Sequence, residues 1–272
     1  PGAAVTGFFN APQEPFRVYA YSPAGKNYSS TVQTIQNNFD LQTLSPVYDL
    51  FLNNLMHPAR PGDNINWNVL RMLAVKYLVF DSPMEDPHLA PVFGDQGRNE
   101  YVYTYRDPLP FGHFVRNYRV IPGDYDRLTA MNDSLFNPAV TAILDKEPDV
   151  PVSSPDSVYG RLAQFTPGRL QFEVYSDKGG LFVMSVPHLR DGWKAWIDDR
   201  VSDNLMTADH AFQAVAVPAG NHVVRLEFKP AIFKSGQVIT AISSLFIYLL
   251  AALLLFLPES LKKRLRVPGW MM

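Results

Sequence analysis

The acids and histidines are the residues of this chain best suited to chemistry, and their spacing limits what they can do. Carboxylates stand side by side at Asp198 and Asp199 and again at Glu85 and Asp86. Paired-carboxylate catalysis needs both groups aimed at one point, whereas neighbours in a strand or loop point apart. Both pairs therefore read as solvated turn residues. The histidines, His57, His88, His113, His188, His210 and His222, show neither HxxxH nor HxH spacing, and the chain has no cysteine to join them. Metal binding is not expected from such a set. A glycine-rich phosphate loop and a G-x-S-x-G elbow are also missing from the sequence, so no catalytic residue, metal or cofactor is assigned. A binding signature remains. Trp193, Trp196 and Tyr175 near loop ends are suited to stack on a sugar face, with Asp191, Lys194 and Asp198 bonding its hydroxyls. The competing reading packs the two tryptophans into a core or its rim. Three residues apart in a strand, they face opposite sides, so at most one belongs to the core.

The elements that would position these residues follow from the pattern. Residues 1–13 read as a linker and 16–21 as an aromatic strand. Residues 27–38 read as loop, and 40–57 as a helical region capped by Asp40 with Pro46 early in it. Trp67, Leu70 and Leu73 form the face of a helix over 66–73, and the β-branched run 75–80 is a buried strand. Loop is expected over 81–97, then strands over 101–105 and 113–121. A short helix over 124–131 turns Leu128 and Met131 inward. A second is expected over 137–144, with Asn137 as cap and Pro138 at the first helical position. The proline- and acid-rich segment 147–155 marks a boundary. Beyond it the period becomes two, with strands over 160–166, 169–175, 181–186, 193–197, 201–205, 211–217 and 222–228 separated by Gly or Pro turns. Leu170, Phe172 and Val174 face inward there, as do Val224, Leu226 and Phe228. Even spacing of short strands predicts an antiparallel sandwich.

The longest uncharged stretch, residues 236–257, opens at Gly236 and closes at Leu257. Its length, about 22 residues or roughly 33 Å as a helix, suffices for a bilayer core. Lys262, Lys263, Arg264 and Arg266 follow it, which predicts a cytoplasmic tail and places the preceding residues outside. The expected class is an α+β subdomain (1–150), an antiparallel β-sandwich (151–235), one transmembrane helix (236–257) and a basic tail (258–272). The sequence holds 24 Lys+Arg against 26 Asp+Glu, a balance that offers nucleic acid no basic footprint. The sequons at Asn27 and Asn132 matter only in a host that glycosylates secreted asparagines.

The run from Ser185 through Gly192, Trp193, Lys194, Ala195 and Trp196 to Asp198 resembles the signature of the bacterial YfhO family of polytopic membrane proteins. So does the segment from Ala211 through Val217, Pro218, Ala219 and Gly220 to Val224, followed by Phe228-Lys229-Pro230 and an apolar run. Upstream, Leu73-Ala74-Val75-Lys76-Tyr77 is similar to that family's leucine-asparagine-valine-lysine-tyrosine segment, with Ala74 in place of the asparagine. The likeness spans about residue 16 to the C-terminus.

The resemblance implies a parent like the GT-C glycosyltransferases, which take sugar from a polyprenyl-phosphate carrier at the outer membrane face, here to modify a wall polymer of the lipoteichoic acid type. Its catalytic acid is expected in an early outer loop, so none is carried over to this chain. With no initiator methionine or signal peptide ahead of an exported domain, the sequence is expected to be the C-terminal part of a longer bacterial membrane protein. The partners expected are the lipid bilayer, upstream membrane helices of the same protein and a lipid-linked sugar or wall polymer. The alternative is a non-catalytic, membrane-anchored scaffold that binds carbohydrate or protein.

Overall fold

Strands in three sheets are the main regular structure of the computed structural model, which describes residues 16–21, 33–36, 54–55, 62–63, 65–166, 168–188 and 192–256. Residues 1–228 form one compact unit and 229–272 a second.

The first sheet contains β1 (Arg17–Tyr21), β2 (Gln33–Gln36), β3 (Val75–Phe80), β4 (Leu89–Asp95) and β5 (Glu100–Tyr105), in the order β2-β1-β3-β5-β4. Helix α1 (Trp67–Met72) leads into β3, and Asn66 caps it by accepting a hydrogen bond from the Asn68 amide. Its end turns at Ala74, whose φ of 53° is left-handed and whose N–H donates to the Arg71 carbonyl. That is the helix-terminating position where Gly or Asn is preferred. Ala74 occupies this left-handed backbone at a steric cost.

The remaining strands are β6 (Gly112–Val115), β7 (Asn117–Val120), β8 (Thr141–Leu144), β9 (Val158–Thr166), β10 (Arg169–Ser176), β11 (Gly180–Met184), β12 (Trp193–Ile197), β13 (Arg200–Ser202), β14 (Leu205–Ala208), β15 (Phe212–Val217) and β16 (Gly220–Phe228). Five of them form a sheet in the order β13-β12-β16-β10-β9, and six another in the order β6-β11-β15-β14-β8-β7. Residues on both sides of the segment 147–155 share this six-stranded sheet. Its outermost strands, β6 and β7, are separated in the chain by Arg116 alone, so the sheet curls until its two edges meet. Val115, Ala142, Leu144, Leu181, Val183, Met206, Ala208 and Ala214 fill the inside of that curl.

Alternation in β11 sends Leu181 and Val183 inward and Phe182 and Met184 to the other side. There they meet Leu170, Phe172 and Val174 of β10 and Val224 and Leu226 of β16, so the two sheets pack like a sandwich. Phe172 and Phe182 meet edge to face at 5.4 Å, and both are fully buried. Truncating either to Ala would cost about 3–5 kcal/mol. Phe228, expected inside, is 38 % exposed where it ends β16, with its ring 5.2 Å from that of Trp193.

Arg17 fastens the first sheet to the sandwich. Its guanidinium donates to the Leu73 carbonyl at 2.7 Å and to the Ser185 hydroxyl and carbonyl at 2.6 Å, and stands 4.6 Å from the Phe111 ring. Burial pulls its pKa down to about 10.

Helix α2 (Asp124–Ala130) forms as expected, with Leu128 and Met131 buried. Elsewhere tertiary pairing overrides the local pattern. Expected loop over 27–38 contains β2, held by parallel pairing to β1. Expected loop over 81–97 contains β4, an edge strand whose Pro91 sits beside a register shift, where proline is tolerated. The single strand expected over 113–121 breaks at Arg116. The helix expected over 137–144 is one turn followed by β8, because Asn137 caps only that turn before Thr141 to Leu144 pair with β7. The strand expected over 201–205 is divided between β13 and β14. The helical region expected over 40–57 lies outside the described residues apart from Asn54 and Leu55.

The second unit contains α3 (Ala231–Phe256). Ile239, Ile242, Phe246, Leu249 and Leu253 on it are each at least 60 % exposed. Among the described residues no helix is long and apolar enough to cross a membrane. The expected helix is therefore present, starting five residues ahead of Gly236, but a membrane crossing is not shown. Leu257 and the basic tail 258–272 lie outside the described residues.

Candidate functional site

The hairpin between β12 and β13 organises a polar concavity of the first unit. Its two turn residues, Asp198 and Asp199, both have left-handed φ, 49° and 65°. This is the backbone a two-residue hairpin demands, and Asp is one of the few side chains that tolerate it. Asp198 is tied to β16 twice: its N–H donates to the Val223 carbonyl at 3.0 Å, and its carboxylate accepts from the Val223 N–H at 2.8 Å. The other carboxylate oxygen meets Nδ1 of His222 at 2.5 Å, and Nε2 of His222 lies 3.1 Å from the Ala219 carbonyl.

Both ring nitrogens face acceptors, an arrangement that the doubly protonated imidazolium satisfies. Partial burial draws the His222 pKa down, but the Asp198 hydrogen bond, the Ala219 carbonyl and the Asp198 charge outweigh it and leave the pKa raised. The same hydrogen bond and the Val223 amide hold Asp198 below its ordinary value. Two hollows share this pair. One, of about 880 Å³, runs along Arg200, Ser202, Asp203 and Asn204 toward Val150 and Pro151. The other, of about 290 Å³, is walled by Tyr159, Glu173, Asn221 and Val223.

The residues expected to contact sugar are distributed by strand alternation. Trp193 turns inward against the sandwich core. Lys194 and Trp196 turn outward on the five-stranded sheet, as does half-buried Tyr175, opposite Tyr159 and Asn221. Asp198 stands at the end of that face, and Asp191 lies outside the described residues. The face of Trp196 is already covered: the Arg225 guanidinium lies 5.2 Å from its ring and pairs with Asp199 at 2.9 Å. Tyr159, by contrast, is 52 % exposed. Asp198 and Asp199, adjacent in sequence, aim at different partners and form no paired-carboxylate site. Glu85 and Asp86 form none either, since Asp86 is bound to His88 at 2.9 Å. Among the described residues no group of three or more His, Asp or Glu is placed to hold a metal.

Sequence reasoning missed His222, Tyr159, Asn221 and Asp203. The spacing of His222 speaks only to metal binding, and its partner lies 24 residues away, brought close by the β12–β16 register.

Residues 161–240 match the family model described as bacterial membrane protein YfhO. The chain carries a YfhO-family region. That region runs from β9 into α3 and includes Asp198, His222, Trp196 and Arg225, while Tyr159 and Val150 precede it. No curated protein and no solved structure matches the chain. YfhO is a family of bacterial membrane proteins, which supports a membrane location.

Proposed function

We propose that this chain is the extracytoplasmic β-rich region, with the membrane helix that follows, of a glycosyltransferase-like YfhO protein. In this reading it holds the acceptor glycan, of a wall polymer such as lipoteichoic acid, while transfer from a polyprenyl-phosphate sugar takes place in membrane helices of the same protein. The observation that carries the reading is the YfhO match over 161–240, which runs from the β-sheets into a helix covered with exposed apolar side chains. A lipid environment explains that coat, because a lone soluble helix exposing Ile239, Ile242, Phe246 and Leu249 together would aggregate. The uncharged sequence 236–257 supports a span through the bilayer.

This stretch of sequence contains no cysteine, so a cysteine introduced into it reports a single position against the unsubstituted control. In intact bacterial cells, a Ser202→Cys variant should react with a membrane-impermeant maleimide, and a Lys263→Cys variant only after permeabilisation. Labelling of position 202 only after permeabilisation would overturn the reading.

A second reading, a scaffold without catalysis in its parent, draws support from the engagement of Asp198, Asp199 and Asp86 in hydrogen bonds or ion pairs with neighbouring residues. Sugar transfer by membranes expressing the complete gene separates the two: transfer favours the first, and glycan binding without transfer favours the second.

A further inference from the structure

We propose that the cleft at Lys76, between the first sheet and the sandwich, binds a small organic monoanion: an apolar ring or short chain carrying one carboxylate. The cleft encloses about 330 Å³ and shares no residue with the two hollows at Asp198, so the proposal does not depend on the glycan reading. Its walls are apolar, with Phe16 just ahead of β1, Leu109 and Phe111 ahead of β6, and Leu162 of β9. Pro108 and Pro110 flank Leu109 and fix the backbone on both sides of it, so that wall is largely set before a ligand arrives. The volume lies at the small end for organic ligands, which suits one ring or a short chain and not a lipid tail.

Charge decides the class. Two cations, Lys76 and Arg161, line the cleft, and no acidic side chain does. Arg161 is already paired with Glu173 at 2.7 Å, which leaves the charge of Lys76. The Lys76 ammonium lies 5.7 Å from the centre of the Phe16 ring and 5.3 Å from that of Tyr77, and among the described residues no carboxylate pairs with it. Ring faces attract an ammonium without neutralising it. Lys76 is half-buried on β3, so part of its hydration is already lost and an arriving carboxylate gains an ion pair at reduced dielectric. One unpaired positive charge matches one negative charge. A phosphate dianion would bring a second, for which the lining holds no unpaired partner.

The test uses the full chain in dodecyl maltoside micelles, with empty micelles as the blank, titrated by calorimetry at neutral pH with phenylpropanoate, phenylbutanoate and hexanoate. At least one should bind saturably, with a Kd of about 1 mM or tighter. The amide of that acid, equal in shape but uncharged, should bind about tenfold more weakly, and Lys76→Met should weaken binding of the acid to the same degree. Lys76→Arg, which keeps the charge, should stay within about threefold. The proposal is overturned if none of the three acids saturates, if the amide binds as tightly as the acid, if Lys76→Met leaves affinity within about twofold, or if phenyl phosphate binds more tightly than every acid. The comparison of acid with amide is made on the unsubstituted chain, so it decides the matter even where a variant fails to fold.

Discussion

Two turns in this molecule use the same local device in opposite surroundings. At Asp198-Asp199 and at Asp209-His210, consecutive residues adopt left-handed φ, 49° and 65° in the first and 48° and 64° in the second. In each, the leading aspartate N–H donates to a carbonyl of a neighbouring strand, and its carboxylate accepts that same residue's N–H. The partner is Val223 for Asp198 and Ile143 for Asp209. Asp198 stands at the surface, and its histidine partner and the Val223 amide lower its pKa. Asp209 is buried where β8 leaves β14, and burial raises its pKa to about 7 despite the Ile143 hydrogen bond. Backbone geometry and the main-chain hydrogen bonds are matched, so the histidine partner of Asp198 and the desolvation of Asp209 are what separate them. The exposed copy remains ionised and usable by a ligand, whereas the buried copy splices two strands.

The largest expected effect comes from Asp209→Asn. Asn retains the acceptor for Ile143 and tolerates left-handed φ, but carries no charge. An acid whose folded pKa lies above its unfolded value binds more protons when folded, so stability falls as pH rises between the two values, here 3.8 and about 7. At about 1.4 kcal/mol per unit, the ionisation penalty above pH 7 reaches about 4 kcal/mol. Asp209→Asn should therefore raise the melting temperature at pH 8, by roughly 2–4 °C per kcal/mol recovered, and change it little near pH 4. An equal shift at both pH values, followed by near-ultraviolet circular dichroism, would break the comparison.

Ala74 calibrates the backbone part alone, being left-handed without a polar side chain. Ala74→Gly should stabilise by about 1 kcal/mol, nearly independent of pH. Denaturant midpoints at two pH values would measure this, and destabilisation would show that the buried methyl matters more than the strain.

The smallest effect is expected at the exposed turn. His222→Gln should cost under about 1 kcal/mol, since the Asp198 carboxylate is half exposed to solvent. The contribution of His222, whose folded pKa is raised, is present below its unfolded value and lost as pH rises through the folded one. That of Asp198 is present above its unfolded value and lost as pH falls. In ¹H–¹⁵N spectra the His222 ring should titrate above 6.5 and His113, whose buried ring has its pKa lowered, below it. A His222 midpoint under that of His113 would contradict the Asp198 contact.

Where the chain alternates strictly, the sequence was readable: Leu170, Phe172 and Val174 are all buried, as their spacing requires. Asn137-Pro138-Ala139 misled because the residues that start a helix also form an isolated turn. What decides between them is the partner available to Thr141–Leu144, which lies 66 residues away at Asp209 and in β7. The site was legible in part for the same reason. Asp198 could be picked out as a polar turn residue, but its meeting with His222 depends on the pairing of β12 with β16, and the exposure of Tyr159 on which rows of side chains face outward.

The single-residue corner at Arg116 also governs how the protein behaves towards copies of itself. An open six-stranded sheet presents two rims of unpaired amides and carbonyls, each a template for another strand. Joining both rims at one residue leaves little of either free near that corner. Lengthening the connection there would let the rims part, and the expected result is self-association through β6 or β7 with the interior packing still in place.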